Sequence, residues 1–163
     1  MPPSSVPRKV EDIIFYYYAK LVIAPSAGFP KNYKFIIDSY KRLKTGELRM
    51  SDYEREIQHS TENSKTCVFC MSPSNELKTV HVVAPSFGVK PGMHNLVLAC
   101  GNCAQSKGEK DLVEWWCKDL GKARDDLPRV ALGIYLKIAF ELHTIRFSLQ
   151  MACKGLGDLF SAL

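Results

Sequence analysis

The chain has 163 residues, 46% of them hydrophobic and 24% charged, with a formal net charge of +5. That length allows one core, or a core plus a small module, and the composition is that of a soluble globular protein. Six cysteines are too few in such a chain for a disulfide scaffold, and no apolar run reaches membrane-spanning length, so a stapled secreted domain and a membrane protein are both set aside.

The opening MPPSSVPRKVED carries no apolar signal region and reads as an extended arm over residues 1–9. VEDIIFYYYAKLVI then predicts a helix from about Glu11 to Ile23, with Ile13, Ile14, Tyr17 and Leu21 at helical spacing. Tyr16, Tyr17 and Tyr18 read as core and helix surface rather than as a stacking platform for bases. After the turn-rich APSAGFP, a second and basic helix carries Tyr33, Ile36, Ile37 and Tyr40 on one face and ends at Gly46. Ser51 and Glu54 form a capping-box pattern that predicts a short third helix from Asp52 to about His59.

The stretch from Cys67 to Lys110 carries the chemistry. Two Cys-x-x-Cys pairs, Cys67/Cys70 and Cys100/Cys103, bracket His81, Gly88, His94 and Asn95. Thiolates are preferred zinc ligands, and two such turns can each offer two sulfurs to one tetrahedral ion. A redox pair is the competing reading of one such turn, but two at this separation favour a single structural zinc. Leu77–Val83 has strand character, Pro85–Gly92 is a loop, Asn95–Ala99 is a second strand, and the second pair leads into a helix whose later part is Asp111–Leu120. At least one of the adjacent Trp115 and Trp116 should be buried. Pro128 then opens a long apolar helix over about 129–151, interrupted by Lys137, Glu141, His143 and Arg146, and the tail KGLGDLFSAL is amphipathic. The long helix serves as core and could also carry a subunit contact.

In this stretch the chain resembles the HNH endonuclease family, in its four-cysteine, treble-clef (ββα-metal) branch. The resemblance rests on Val80-His81, Gly88-Val89, the run Asn95–Cys100, Cys103-Ala104 and Lys107-Gly108, about a quarter of the chain. It implies a ββα zinc module, His81 as the general base that activates water, and Asn95 steadying the loop. In the family an Asp before that histidine and an Asn after the last cysteine hold a catalytic divalent cation. Val80 and Ala104 stand there and offer no ligand atom, whereas magnesium or manganese needs oxygen donors.

The expected fold is therefore mainly α with an embedded ββα treble-clef zinc module, in three segments, 1–66, 67–120 and 121–163, packed together. Net charge is +3 in residues 1–66, +2 in 67–110 and zero in 111–163. This is compatible with a phosphate-facing surface and equally with a merely soluble, slightly positive one; on the first reading Lys90, Lys107 and Lys110 are the phosphate contacts. Two function classes follow. The first is a nucleic-acid-binding protein, on duplex DNA or structured RNA, including a ribonucleoprotein particle, with metal-dependent cleavage lost. The second is an active endonuclease using magnesium or manganese, in which His94, Glu109 or Asp111 replaces the missing ligands. A module that uses zinc only for folding and protein contact is a third. Spare thiols beside a thiolate site favour a reducing, intracellular and cytoplasmic setting.

Overall fold

The computed structural model describes residues 8–50 and 65–163. Most of the proline-rich arm and the expected Asp52–His59 helix lie outside the described residues. The chain is mainly helical with one two-stranded antiparallel sheet. It divides into two compact units, one formed by Met1–Tyr53 with Ala139–Leu163 and the other by Glu54–Ile138. These boundaries differ from the three segments read from the sequence, because both chain ends contribute to the same unit.

In the first unit, helix α1 (Val10–Tyr18) continues without a break through a wider π-helical turn, Ala19–Ile23, into Ala24–Ser26. Its apolar residues run nearly all round, as in a helix with several packed faces. Tyr16, Tyr17 and Tyr18 are all buried, with Tyr18 donating to the carbonyl of Met50 at 3.1 Å. Asp12 is buried on this helix and accepts from Tyr40 Oη at 2.9 Å and from Lys44 Nζ. A buried carboxylate needs such partners. Both donors come from α2 (Tyr33–Thr45), which Asn32 caps by accepting from Phe35 N at 3.1 Å. Gly46 ends it at φ 80°, a left-handed conformation that glycine adopts without strain. Ile36, Tyr40 and Leu43 face the interior, while Tyr33 of the expected apolar face is exposed. The chain's other end packs here too. Val10 N donates to Met151 O at 2.9 Å and Cys153 N to Arg8 O at 2.7 Å. The Phe15 and Phe140 rings meet at 5.4 Å, and Leu156, Leu159 and Phe160 are buried.

The second unit holds strands β1 (Lys78–His81) and β2 (Leu96–Ala99), paired with Val80 opposite Val97 and His81 opposite Leu96. Helix α3 (Gly101–Lys107) follows β2 directly, completing a ββα arrangement. The helix does not run on to Leu120. It stops at Gly108, where φ is 51°, and restarts as α4 (Leu112–Glu114) with a π-helical extension, Trp115–Asp119. Asp111 makes the restart by accepting from Glu114 N at 3.0 Å and is itself held by Tyr135 Oη at 2.8 Å. Both tryptophans are buried. Trp115 Nε1 donates to Ser106 Oγ and Trp116 Nε1 to Ala123 O, each at 2.9 Å, so both indoles bury their apolar area without stranding a donor.

The long helix α5 (Arg129–Ile145) belongs to the second unit up to Ile138 and to the first from Ala139. It ends six residues before the expected position 151. Phe147 takes φ 56°, Ser148 N closes back onto His143 O at 2.9 Å, and Ser148 Oγ meets His143 Nδ1 at 2.6 Å. His143 is fully buried, and its Nε2 lies 2.7 Å from Leu159 O, so the ring ties the helix end to the tail. Burial holds its pKa down, which keeps it neutral.

Candidate functional site

The first Cys-x-x-Cys forms a knuckle. Cys67 N donates to Ser72 O at 2.9 Å, Met71 N to Cys67 O at 3.0 Å, and Met71 takes φ 62° to complete the turn. Val68 N donates to Leu98 O at 3.0 Å, which docks the knuckle on β2. The second pair opens α3, with Cys100 as its cap. The four sulfurs come together, all within 4.8 Å of one another. A tetrahedral ion with metal–sulfur bonds of about 2.3 Å sets its sulfurs roughly 3.8 Å apart. The Cys70 and Cys100 sulfurs are 3.8 Å apart. Backbone amides also point at sulfur, Phe69 N at Cys67 and Cys103 N at Cys100, at 3.4 and 3.5 Å. Such donors favour the thiolate form, so the four residues fit a metal ion.

Charge around the sulfurs is uneven without an ion. Hydrogen bonds to Ser72 hold Cys70 low, at about 6, while burial pushes Cys103 up. Four thiolates at this spacing need a cation between them, and its binding releases the remaining protons. Cys117 and Cys153 stand outside the cluster, and burial raises both. Phe69 of the knuckle lies 5.0 Å, edge-on, from Trp115, so the cysteine turn is backed by the core.

His81, at the end of β1, is half-exposed and its Nδ1 lies 3.2 Å from Glu109 Oε1. Asn95 is buried. Its Oδ1 accepts from Val83 N at 2.8 Å and its Nδ2 donates to Val83 O at 2.7 Å, which pins the chain two residues beyond His81. Where the loop between β1 and β2 meets the strand ends, a pocket of about 340 Å³ is lined by His81, Val89, Lys90, Met93, His94 and Leu96, among others. His94 Nε2 has no hydrogen-bond partner among the described residues.

One expected phosphate contact, Lys107, needs correction. Lys107 is fully buried, and its ammonium donates to His81 O at 2.8 Å, Lys110 O at 3.1 Å and Gly108 O at 3.4 Å. It has no donor left for a phosphate. Desolvation lowers its pKa to about 8, against the pull of Glu109 and Asp111. Lys110 is exposed but pairs with Asp119 at 2.8 Å. Lys90 remains, exposed at the pocket.

Val80 is 6% exposed and packs inward opposite Val97, and Ala104 lies half-buried on α3. Among the described residues, the four cysteines are the group of three or more side chains placed to hold a metal. Asp111, one of the expected replacement ligands, is occupied as a helix cap. The His81–Glu109 pair joins residues far apart in sequence, and no spacing rule announces it. The Lys107 clamp is equally silent, since a lysine at a helix end usually reads as solvated.

No family model, characterised protein or solved structure matches this chain. No helix among the described residues is long and apolar enough to cross a membrane.

Proposed function

We propose that the chain is a nucleic-acid-binding protein built on an HNH-like ββα module, with one structural zinc on Cys67, Cys70, Cys100 and Cys103 and with the family's metal-dependent cleavage lost. The observation that carries this reading is the chemistry beside His81. The positions that would supply an oxygen ligand hold Val80, turned into the core, and Ala104. A hard cation would have too few donors there to polarise a phosphodiester. The ion on the cysteines has no such role, since four thiolates leave no open coordination position.

Binding on this reading is electrostatic and shallow in its salt dependence. With Lys107 internal and Lys110 paired, Lys90 is the pocket's remaining cation among the residues expected to meet phosphate. On duplex DNA each neutralised phosphate contributes about −0.9 to the slope of log K against log salt. Fluorescence anisotropy on a DNA duplex and an RNA hairpin, across a salt series, tests this. Lys90→Ala is expected to reduce the slope by about one contact. Absence of binding to both at low salt refutes the reading and favours a protein-contact module. A second reading, an active metal-dependent endonuclease, draws on Glu109, whose carboxylate beside His81 could replace one ligand. Nicking in magnesium or manganese that disappears on Glu109→Gln would establish it.

A further inference from the structure

The pocket beside β1 contains more chemistry than a binding surface needs. His81 is paired with a carboxylate, and that pair is built rather than casual. The buried Lys107 ammonium binds the carbonyl of His81 itself and the carbonyls of Gly108 and Lys110, the two residues flanking Glu109. One internal cation thus fixes the backbone on both sides of the pair. An ion pair between two exposed side chains is worth little alone, because each must be ordered to make it. Here the ordering of both main-chain segments is already supplied. Glu109 at Nδ1 holds the imidazole in one orientation and leaves Nε2 as the nitrogen for proton transfer. His94 lines the same pocket; its Nε2 is buried without a hydrogen-bond partner among the described residues, so Nδ1 is the nitrogen that can meet a substrate, and Lys90 supplies positive charge there.

Two imidazoles, one cation and, among the described residues, no gathered oxygen ligands suit a phosphodiester reaction in which the substrate brings its own nucleophile. RNA does so through its 2′-hydroxyl. We propose that this pocket cleaves RNA without a metal ion, by 2′-O-transphosphorylation, and this rests on the nucleic-acid reading above. His81 accepts the proton of the 2′-hydroxyl. The 2′-oxygen bonds to phosphorus, and the bond from phosphorus to the 5′-oxygen breaks, its electron pair leaving on that oxygen. Protonated His94 donates a proton to it. The products are a 2′,3′-cyclic phosphate and a 5′-hydroxyl, and exchange with water returns both rings to their starting states. Lys90 faces the charge on the non-bridging oxygens. Glu109 is a positioning residue, acting through His81.

The test uses full-length, zinc-loaded protein in magnesium-free buffer, with a mixed-sequence RNA oligonucleotide and its 2′-O-methyl counterpart. Mass spectrometry of the products is expected to show 2′,3′-cyclic phosphate ends from the RNA and no cleavage of the methylated strand. General acid–base catalysis contributes about 10²–10⁴-fold, so His81→Ala and His94→Ala are each expected to lower kcat at least about 100-fold. Zinc content should be unchanged, and binding to the methylated strand should fall far less than kcat. Should His94→Ala fail to fold, His94→Gln replaces it. Glu109→Gln is expected to lower kcat about tenfold with KM unchanged, with partial rescue by Glu109→Asp. Binding of the methylated strand with no cleavage of the RNA overturns this proposal alone, and absence of binding overturns the nucleic-acid reading with it. Cleavage that survives His81→Ala at full rate also overturns it.

Discussion

Lys107→Met isolates what a buried ammonium does. Methionine keeps the apolar stem and removes the charge. The carbonyls of His81 and Lys110, at 2.8 and 3.1 Å, then lose a charged donor in a place water does not reach. A buried acceptor left without a partner costs roughly 1–3 kcal/mol, and relief of burying the charge returns part of that. The net loss at about pH 7 should be about 3 kcal/mol. The pH dependence is more diagnostic. Burial lowers this lysine from 10.5 to about 8, so on raising the pH the native chain loses the proton before the unfolded chain does. Between those values the unfolded state binds more protons, and native stability rises with pH. At about 1.4 kcal/mol per pKa unit, the whole window is worth about 3 kcal/mol. The methionine variant has no such titration, so the gap between the two proteins should be constant below about pH 8 and widen above it. Urea unfolding of zinc-loaded protein, followed by tryptophan fluorescence at several pH values, measures this, since Trp115 and Trp116 are both buried in the same unit. A variant as stable as the wild type near neutrality, or a gap that does not change up to about pH 10, would refute the reasoning.

If the cysteines hold one zinc per chain as proposed, Cys100→Ser should abolish its binding and unfold the second unit, because such sites supply about 10–16 kcal/mol of apparent binding energy in small fingers; elemental analysis and tryptophan fluorescence check this together. Val80→Asp should destabilise by about 3 kcal/mol or more, since it buries a carboxylate opposite Val97 with no cation to receive it. Titration calorimetry should show no magnesium binding by that variant. Asn95→Ala removes both bonds to Val83 and should lose about 2–4 kcal/mol, read as a lowered thermal midpoint with zinc retained.

The four-cysteine cluster was legible because its determinants are local. Cys-x-x-Cys spacing forms a knuckle whatever surrounds it, and the four sulfurs meet as that spacing implies. Gly46 as a helix end and Tyr16–Tyr18 as core were legible for the same kind of reason, one backbone conformation and one apolar pattern. The break at Gly108 was not. Helical patterning continues on either side, and where the helix stops Gly108 takes φ 51° while the Lys107 ammonium gathers carbonyls from two directions. Burying a lysine is a tertiary decision that no local pattern encodes. The end of α5 was missed in the same way, because the bonds of His143 to Ser148 and Leu159 outweigh the apolar periodicity that continues past Ile145.

The interleaving of the two units bears on how the chain is made. The second unit, Glu54–Ile138, is complete once Ile138 has emerged during synthesis, and its cysteines can then take up metal. The first unit cannot close until Ala139–Leu163 follows, because Leu156, Leu159 and Phe160 help fill its core and Cys153 bonds back to Arg8. Until then the apolar surface of α1 waits without its cover, and exposed surface of that kind is what aggregates. A stop codon shortly after Ile145 would therefore spare the metal-binding unit and leave the amino-terminal helices as the part that chaperones and proteases recognise.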